Sequence, residues 1–169
     1  IETVQGRKRQ ELLALLLEAK LSGHAEVSRL ELCDALYPDK DEIKALSSLK
    51  ELVSALRERL DANAITTTAT GYALGAVQSD AEVFLQTGDT TLWRGVYLED
   101  ITLEHQKSVA ESLYGLLYTK AQELLEINSK EVARVARLLV EADPYNLEYL
   151  KVSLEALRAS NNHKTLTRL

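Results

Sequence analysis

Residues 41–72 read DEIKALSSLKELVSALRERLDANAITTTATGY, an amphipathic stretch that runs straight into a threonine-rich one. Leu46, Leu49, Val53, Leu56 and Leu60 recur at spacings of three and four, which gathers them on one face of a helix. The opposite face carries Ser47, Lys50, Glu51, Ser54, Arg57 and Glu58. Asp41 and Glu42 suit the positive N-terminal end of such a helix. Residues 65–68 and 72–74 are β-branched or aromatic runs around Ala69-Thr70-Gly71, the pattern of a hairpin. The stretch predicts a helix over 42–61 followed by a two-stranded ribbon over 65–74.

Upstream, Leu12, Leu13, Leu16 and Leu17 predict an inward face on a first helix spanning Arg7–Leu21, which Gly23 ends. Ser28-Arg29-Leu30-Glu31 has the form of a capping box, opening a second helix through Leu32, Cys33 and Leu36. Tyr37-Pro38-Asp39 stops it, because a residue before proline avoids the helical region. Residues 1–4 alternate as the end of a strand would. Three helices joined by short turns and closed by a ribbon form the plan of a winged helix-turn-helix. In that plan the third helix lies in the DNA major groove and the ribbon touches the flanking backbone.

Past residue 77 the strand signal fades, which puts a domain boundary near 77–80. The fold class is therefore mainly α: a winged helix-turn-helix over 1–77 with a small β-hairpin wing, then an α-helical domain over 79–169. Ser79-Asp80 can cap a short helix through Phe84 and Leu85, and residues 92–98 form an aromatic-rich bend. Helices follow over about 101–127, 130–142 and 147–159, with a further turn at Asn161-Asn162. Their period of about 30 residues suggests antiparallel helix pairs like those of tetratricopeptide (TPR) repeats. Trp93 and Tyr97 are expected at the junction between domains, and Tyr114, Tyr118, Tyr145 and Tyr149 in the helix packing.

Composition sets limits on function. A chain of 169 residues that is 46% hydrophobic and 27% charged has the make-up of a folded domain rather than a disordered one. The single cysteine, Cys33, excludes an internal disulfide and reads as a core residue. No apolar run nears the roughly 20 residues of a membrane span. With no methionine and no signal-peptide pattern, the chain is expected to be a piece of a longer cytoplasmic protein. His24, His105 and His163 lie apart without metal-ligand spacing, so no metal and no cofactor is expected. The chain has no glycine-rich phosphate loop, nucleophile elbow or paired catalytic carboxylates, so no catalytic residue is assigned and no enzyme is expected. The net charge of −6 is spread evenly, with ten basic and thirteen acidic groups in residues 1–80 and the same in 81–169. Neither half has the basic footprint usual in a nucleic-acid binder.

The motifs nevertheless resemble a known combination. Residues 6–16, GRKRQELLALL, resemble the first helix of the OmpR-type winged helix of streptomycete antibiotic regulatory proteins. Residues 27–38, VSRLELCDALYP, are similar to that family's V-S-R-x-x-L-x-x-x-L-W-P. Ser48-Leu49-Lys50 with Val53-Ser54-Ala55-Leu56-Arg57 resembles its recognition helix, and residues 66–74 its wing with a terminal G-Y-x-L. Residues 92–98, LWRGVYL, and 141–148, EADPYNLE, resemble motifs of the bacterial transcriptional activator domain that follows it. The resemblance covers nearly the whole chain in the family's domain order. It implies a regulator that binds double-stranded DNA, with a TPR-like helical domain serving dimerisation, regulation or contact with the transcription machinery.

The DNA-binding candidates are then Ser47, Lys50, Ser54 and Arg57 on the third helix, Thr67, Thr68 and Thr70 on the wing, and Arg7, Lys8 and Arg9 at the first helix. Lys50, Ser54 and Arg57 share one face, within reach of a groove; the competing reading is a solvated face balanced by Glu51 and Glu58. Replacing Arg57 is expected to weaken DNA binding and leave stability nearly unchanged. Arg7, Lys8 and Arg9 sit at a helix N-terminus, where a phosphate would find amides and cations together; the competing reading is a linker cluster. The sequence departs from the family at Ala55, where arginine is frequent, and in a wing without a basic residue. The threonines can touch phosphates yet release no counterions, so weak affinity is expected. The alternative reading is a protein–protein interaction module built on a degenerate winged helix.

Overall fold

The structure, a computed structural model, describes residues 4–101, 106–127 and 129–166. It is mainly helical with one small antiparallel sheet, and it divides into two compact units: residues 1–78 with 100–109, and residues 79–99 with 110–169. Of the strand expected over residues 1–4, residues 1–3 lie outside the described residues.

In the first unit, local chemistry sets the helix ends. α1 (Arg7–Leu21) stops where Gly23 takes a φ of 80°, which turns the His24 amide back to the Ala19 carbonyl at 2.8 Å. α2 (Arg29–Leu36) begins with the expected capping box: Ser28 Oγ accepts from Glu31 N at 3.2 Å, and Glu31 accepts from Ser28 N at 3.0 Å. α3 (Glu42–Arg59) begins with Asp41 accepting from Lys44 N at 3.1 Å. α3 ends two residues earlier than its pattern suggested, and Leu60 is exposed rather than part of the apolar face.

One core joins these helices. Leu12 and Leu16 of α1, Leu32, Cys33 and Leu36 of α2, and Ala45, Leu49, Val53 and Leu56 of α3 cluster with Ile65 and Tyr72. Fully burying one such leucine contributes about 1.5–3 kcal/mol, so this cluster outweighs every surface contact in the unit. On α1 the inward set differs from expectation: Leu13 and Leu17 are only half-buried, while Ala14 and Glu18 are buried. Burial on two sides of α1 defeats a reading based on a single apolar face.

The expected ribbon is a three-stranded sheet. Its strands β1 (Val27–Ser28), β2 (Ile65–Thr67) and β3 (Gly71–Leu74) run in the order β1-β3-β2, all antiparallel. Val27 lies opposite Tyr72 and Ser28 opposite Gly71, while Ile65 lies opposite Leu74 and Thr67 opposite Tyr72. β1 went unread because two residues carry no alternation, and Ser28 already had a role as a helix cap. Gly71 permits the third strand: a Cβ there would stand 1.8 Å from the Val27 carbonyl oxygen.

In the second unit, Ser79 caps α4 (Asp80–Thr87) by accepting from Glu82 N at 3.1 Å. Trp93 was expected at a domain junction, but it packs inside this unit, edge-on to Phe84 at 5.4 Å and tilted against Tyr114 at 5.2 Å. Tyr97 donates its backbone N–H to the Tyr114 hydroxyl at 2.8 Å. Then come α5 (Gln106–Glu126), of which residues 110–126 belong to this unit, α6 (Val132–Ala142) and α7 (Leu147–Leu166). α6 packs on α7, with Val135, Ala136, Leu139, Val152 and Ala156 buried. The Tyr118 and Tyr149 rings pack tilted with their centres 5.8 Å apart, whereas Tyr145 is 89% exposed and takes no part in the packing. α7 continues through Asn161-Asn162, where a turn was expected, because asparagine costs a helix only a few tenths of a kcal/mol. No helix among the described residues is long and apolar enough to cross a membrane.

Arg134 ties the bend before α5 to α6. Its guanidinium donates to the carbonyls of Trp93 and Thr90 at 2.9 and 2.8 Å and to Glu131 at 2.6 Å, and Thr90 Oγ1 also donates to Glu131 at 2.8 Å. The bond from Arg134, then that from Thr90, holds the Glu131 carboxyl below the usual glutamate range.

Two outcomes follow. Gly71→Ala should cost well over 2 kcal/mol, because backbone rather than a flexible side chain must move; urea unfolding followed by far-UV circular dichroism measures this. A carboxyl whose pKa is lowered by folding stabilises above its unfolded value, about 4.3, and loses that stabilisation as pH falls through the folded value. Glu131→Gln should therefore be less stable than the parent at pH 7 and lose less stability between pH 5 and pH 3. Equal pH dependence in the two proteins would refute this.

Candidate nucleic-acid interface

The solvent face of α3 and the β2–β3 ribbon contain most of the residues that sequence reasoning singled out, but their states differ. Ser47, Lys50 and Ser54 are exposed, and none has a side-chain hydrogen bond or ion pair among the described residues. Spaced by three and four, they form one line along the helix. These three are available to a ligand.

Arg57 is not. Its Nε and Nη2 donate to the Ile65 carbonyl at 2.9 and 2.6 Å, and Nη2 also donates to Thr67 Oγ1 at 2.8 Å. The guanidinium is half-buried and fastens β2 to the last turns of α3. This corrects the expectation that Arg57 faces a groove. The spacing put it on the right face, but its long side chain bends toward a backbone carbonyl eight residues ahead.

The wing threonines are also engaged. Thr67 accepts from Arg57, Thr68 Oγ1 accepts from Gly71 N at 2.9 Å, and Thr70 Oγ1 donates to the Glu26 carboxylate. Hydrogen bonds from Thr68 and then Thr70 hold Glu26 below the usual carboxylate range, so an ionised acid sits at the hairpin end. The threonines were expected to meet phosphates; their hydroxyls shape the hairpin and serve that acid instead.

Arg29, which sequence reasoning passed over, supports the same hairpin. Its guanidinium donates to the carbonyls of Ala69 and Thr68 at 3.1 and 3.3 Å and lies 5.6 Å from the centre of the Tyr72 ring. A partner about forty positions away leaves no local signal; only the β1–β3 pairing, with Ser28 opposite Gly71, brings Arg29 there.

At the start of α1, Arg7 and Lys8 both bind Glu11, at 2.8 and 2.9 Å, and Arg9 donates to the Gln5 carbonyl at 3.3 Å. The Glu11 carboxyl is lowered by these bonds against its partial burial. The basic triplet is thus partly neutralised within its own helix. Lys8 also lies 5.8 Å from the Tyr37 ring centre; Lys40 lies 4.5 Å from it and donates to Ser48 Oγ at 2.7 Å.

Arg57→Ala should therefore lower stability by about 1–3 kcal/mol, since it frees a strand carbonyl and unpins β2; Arg57→Lys should recover only part of this, because an ammonium lacks the fork that spans two acceptors. Thermal unfolding of the three proteins measures it, and an unchanged midpoint in Arg57→Ala would refute it. No family model matches this chain, and no curated protein matches it.

Proposed function

We propose that the first unit is a winged helix-turn-helix that binds double-stranded DNA in transcription regulation, with α3 as the recognition helix and the β2–β3 ribbon as the wing. The observation that carries this reading is the line Ser47, Lys50 and Ser54 on α3, which no side chain among the described residues satisfies. A hydroxyl, an ammonium and a second hydroxyl along one helix face match the hydrogen-bonding edges that base pairs present in the major groove. The ribbon is pinned to the same helix through Arg57, so helix and wing would meet a duplex as one body. Arg57, Thr67, Thr68 and Thr70 act as supports for that geometry. Arg7, Lys8 and Arg9 offer a secondary phosphate contact, weakened by Glu11.

The wider reading accompanies this one. Residues 79–169 would be the TPR-like helical domain of a cytoplasmic regulator similar to the streptomycete antibiotic regulatory proteins, serving dimerisation or contact with the transcription machinery. One observation favours a rival, a protein–protein interaction module on the same scaffold: the Glu26 carboxylate is bonded to Thr70 of the hairpin, and its charge would repel a phosphate near the wing.

Titration against mixed-sequence duplex DNA at 20–200 mM salt, roughly the range over which phosphate contacts are screened, separates the two. Binding with a negative slope of log affinity against log salt supports the DNA reading. Lys50→Ala should then lower affinity several-fold and reduce the slope by about one, with an unchanged thermal midpoint. No binding at the lowest salt would refute it and leave the interaction module.

A further inference from the structure

The first turn of α3 bears a side chain that the fold does not use. Ile43 is 82% exposed, more than any other large apolar residue described in the first unit. It lies four residues before Ser47, seven before Lys50 and eleven before Ser54. At about 100° per residue these four side chains fall within one narrow stripe, with Ile43 at its N-terminal end. A β-branched residue at a solvated helix site has a lower helix propensity than alanine and adds nothing to this core.

Isolated exposed apolar residues are ordinary on protein surfaces. Ile43 differs by its alignment with three polar side chains that have no partner among the described residues, at the end of the helix where recognition helices meet base edges. The major groove is lined with donors and acceptors and has one apolar feature, the 5-methyl group of thymine. Ser47 and Ser54 can each pair with a donor, an acceptor or a phosphate, and Lys50 with an acceptor or a phosphate; Ile43 matches only the methyl.

We propose that Ile43 packs against a thymine methyl group in the major groove and so selects thymine at one position of the bound site. This rests on the DNA reading of α3 and adds a specificity-determining residue to it. The interaction is apolar contact alone, so it discriminates thymine from its methyl-free analogue uracil, which keeps every hydrogen bond.

The test selects duplexes from a random pool with the whole chain, then replaces each thymine of the enriched site in turn with deoxyuridine. At one position the parent protein should lose about fourfold in affinity, the worth of burying one methyl group. Ile43→Ala should lose nothing at that position, should bind the thymine site about as weakly as the parent binds the uridine site, and should keep its thermal midpoint. The proposal is overturned if no sequence is enriched, if uridine costs the parent nothing anywhere, or if it costs both proteins equally. Failure to bind any duplex overturns the DNA reading as well; binding without a methyl effect removes only the role of Ile43.

Discussion

The first unit depends on how closely two backbones approach at Gly71. β3 is the central strand, and only a residue without a side chain lets the Val27 carbonyl come as near as it does. Once β1 pairs there, the start of α2 is fixed to the hairpin: Arg29 N donates to the Thr70 carbonyl at 3.1 Å, and the guanidinium follows to Thr68 and Ala69. The same pairing places Tyr72 in the core with Leu32, Leu49 and Val53. From the other side, Arg57 fastens β2 to α3. The sheet is small, yet it sets the position of the hairpin relative to the helix that would read DNA.

Counting charges misleads in this chain. A net charge of −6 argues against a nucleic-acid surface, and the basic residues at 7–9 argue for one. The structure shows many cations held by internal partners: Arg7 and Lys8 by Glu11, Arg57 by a strand, Arg29 by a hairpin, Arg134 by Glu131 and two carbonyls. Exposed ion pairs add little stability, but they do cancel local potential. What matters for a ligand is a cation without a partner among the described residues, such as Lys50 on α3, and the polar and apolar side chains in line with it.

The second unit uses polar contacts for a different end. Arg134 collects carbonyls from the bend that carries Trp93, and that ring packs edge-on to Phe84 and tilted against Tyr114. The Thr90 carbonyl also accepts from the Trp93 amide at 3.2 Å, so the guanidinium matters most to the Trp93 carbonyl, where losing a donor costs about 1–3 kcal/mol. An aromatic-rich segment without helix or strand pattern is thereby held in one conformation.

The sequence by itself determined the elements whose chemistry is local. Ser28 with Glu31, Asp41 with Lys44, the stop at Pro38 and the apolar stripe of α3 are contacts within one helical turn or one residue, so residue order alone specifies them. It also placed Ser47, Lys50 and Ser54 on the outer face. Only the tertiary structure decided which candidates are free. Whether Arg57 faces solvent or a strand, whether Thr70 meets a ligand or Glu26, and whether Val27 belongs to a sheet depend on partners eight to forty-five positions away. Those partners are brought together by core burial and sheet register, which act across the whole unit and leave no periodic trace in any one segment.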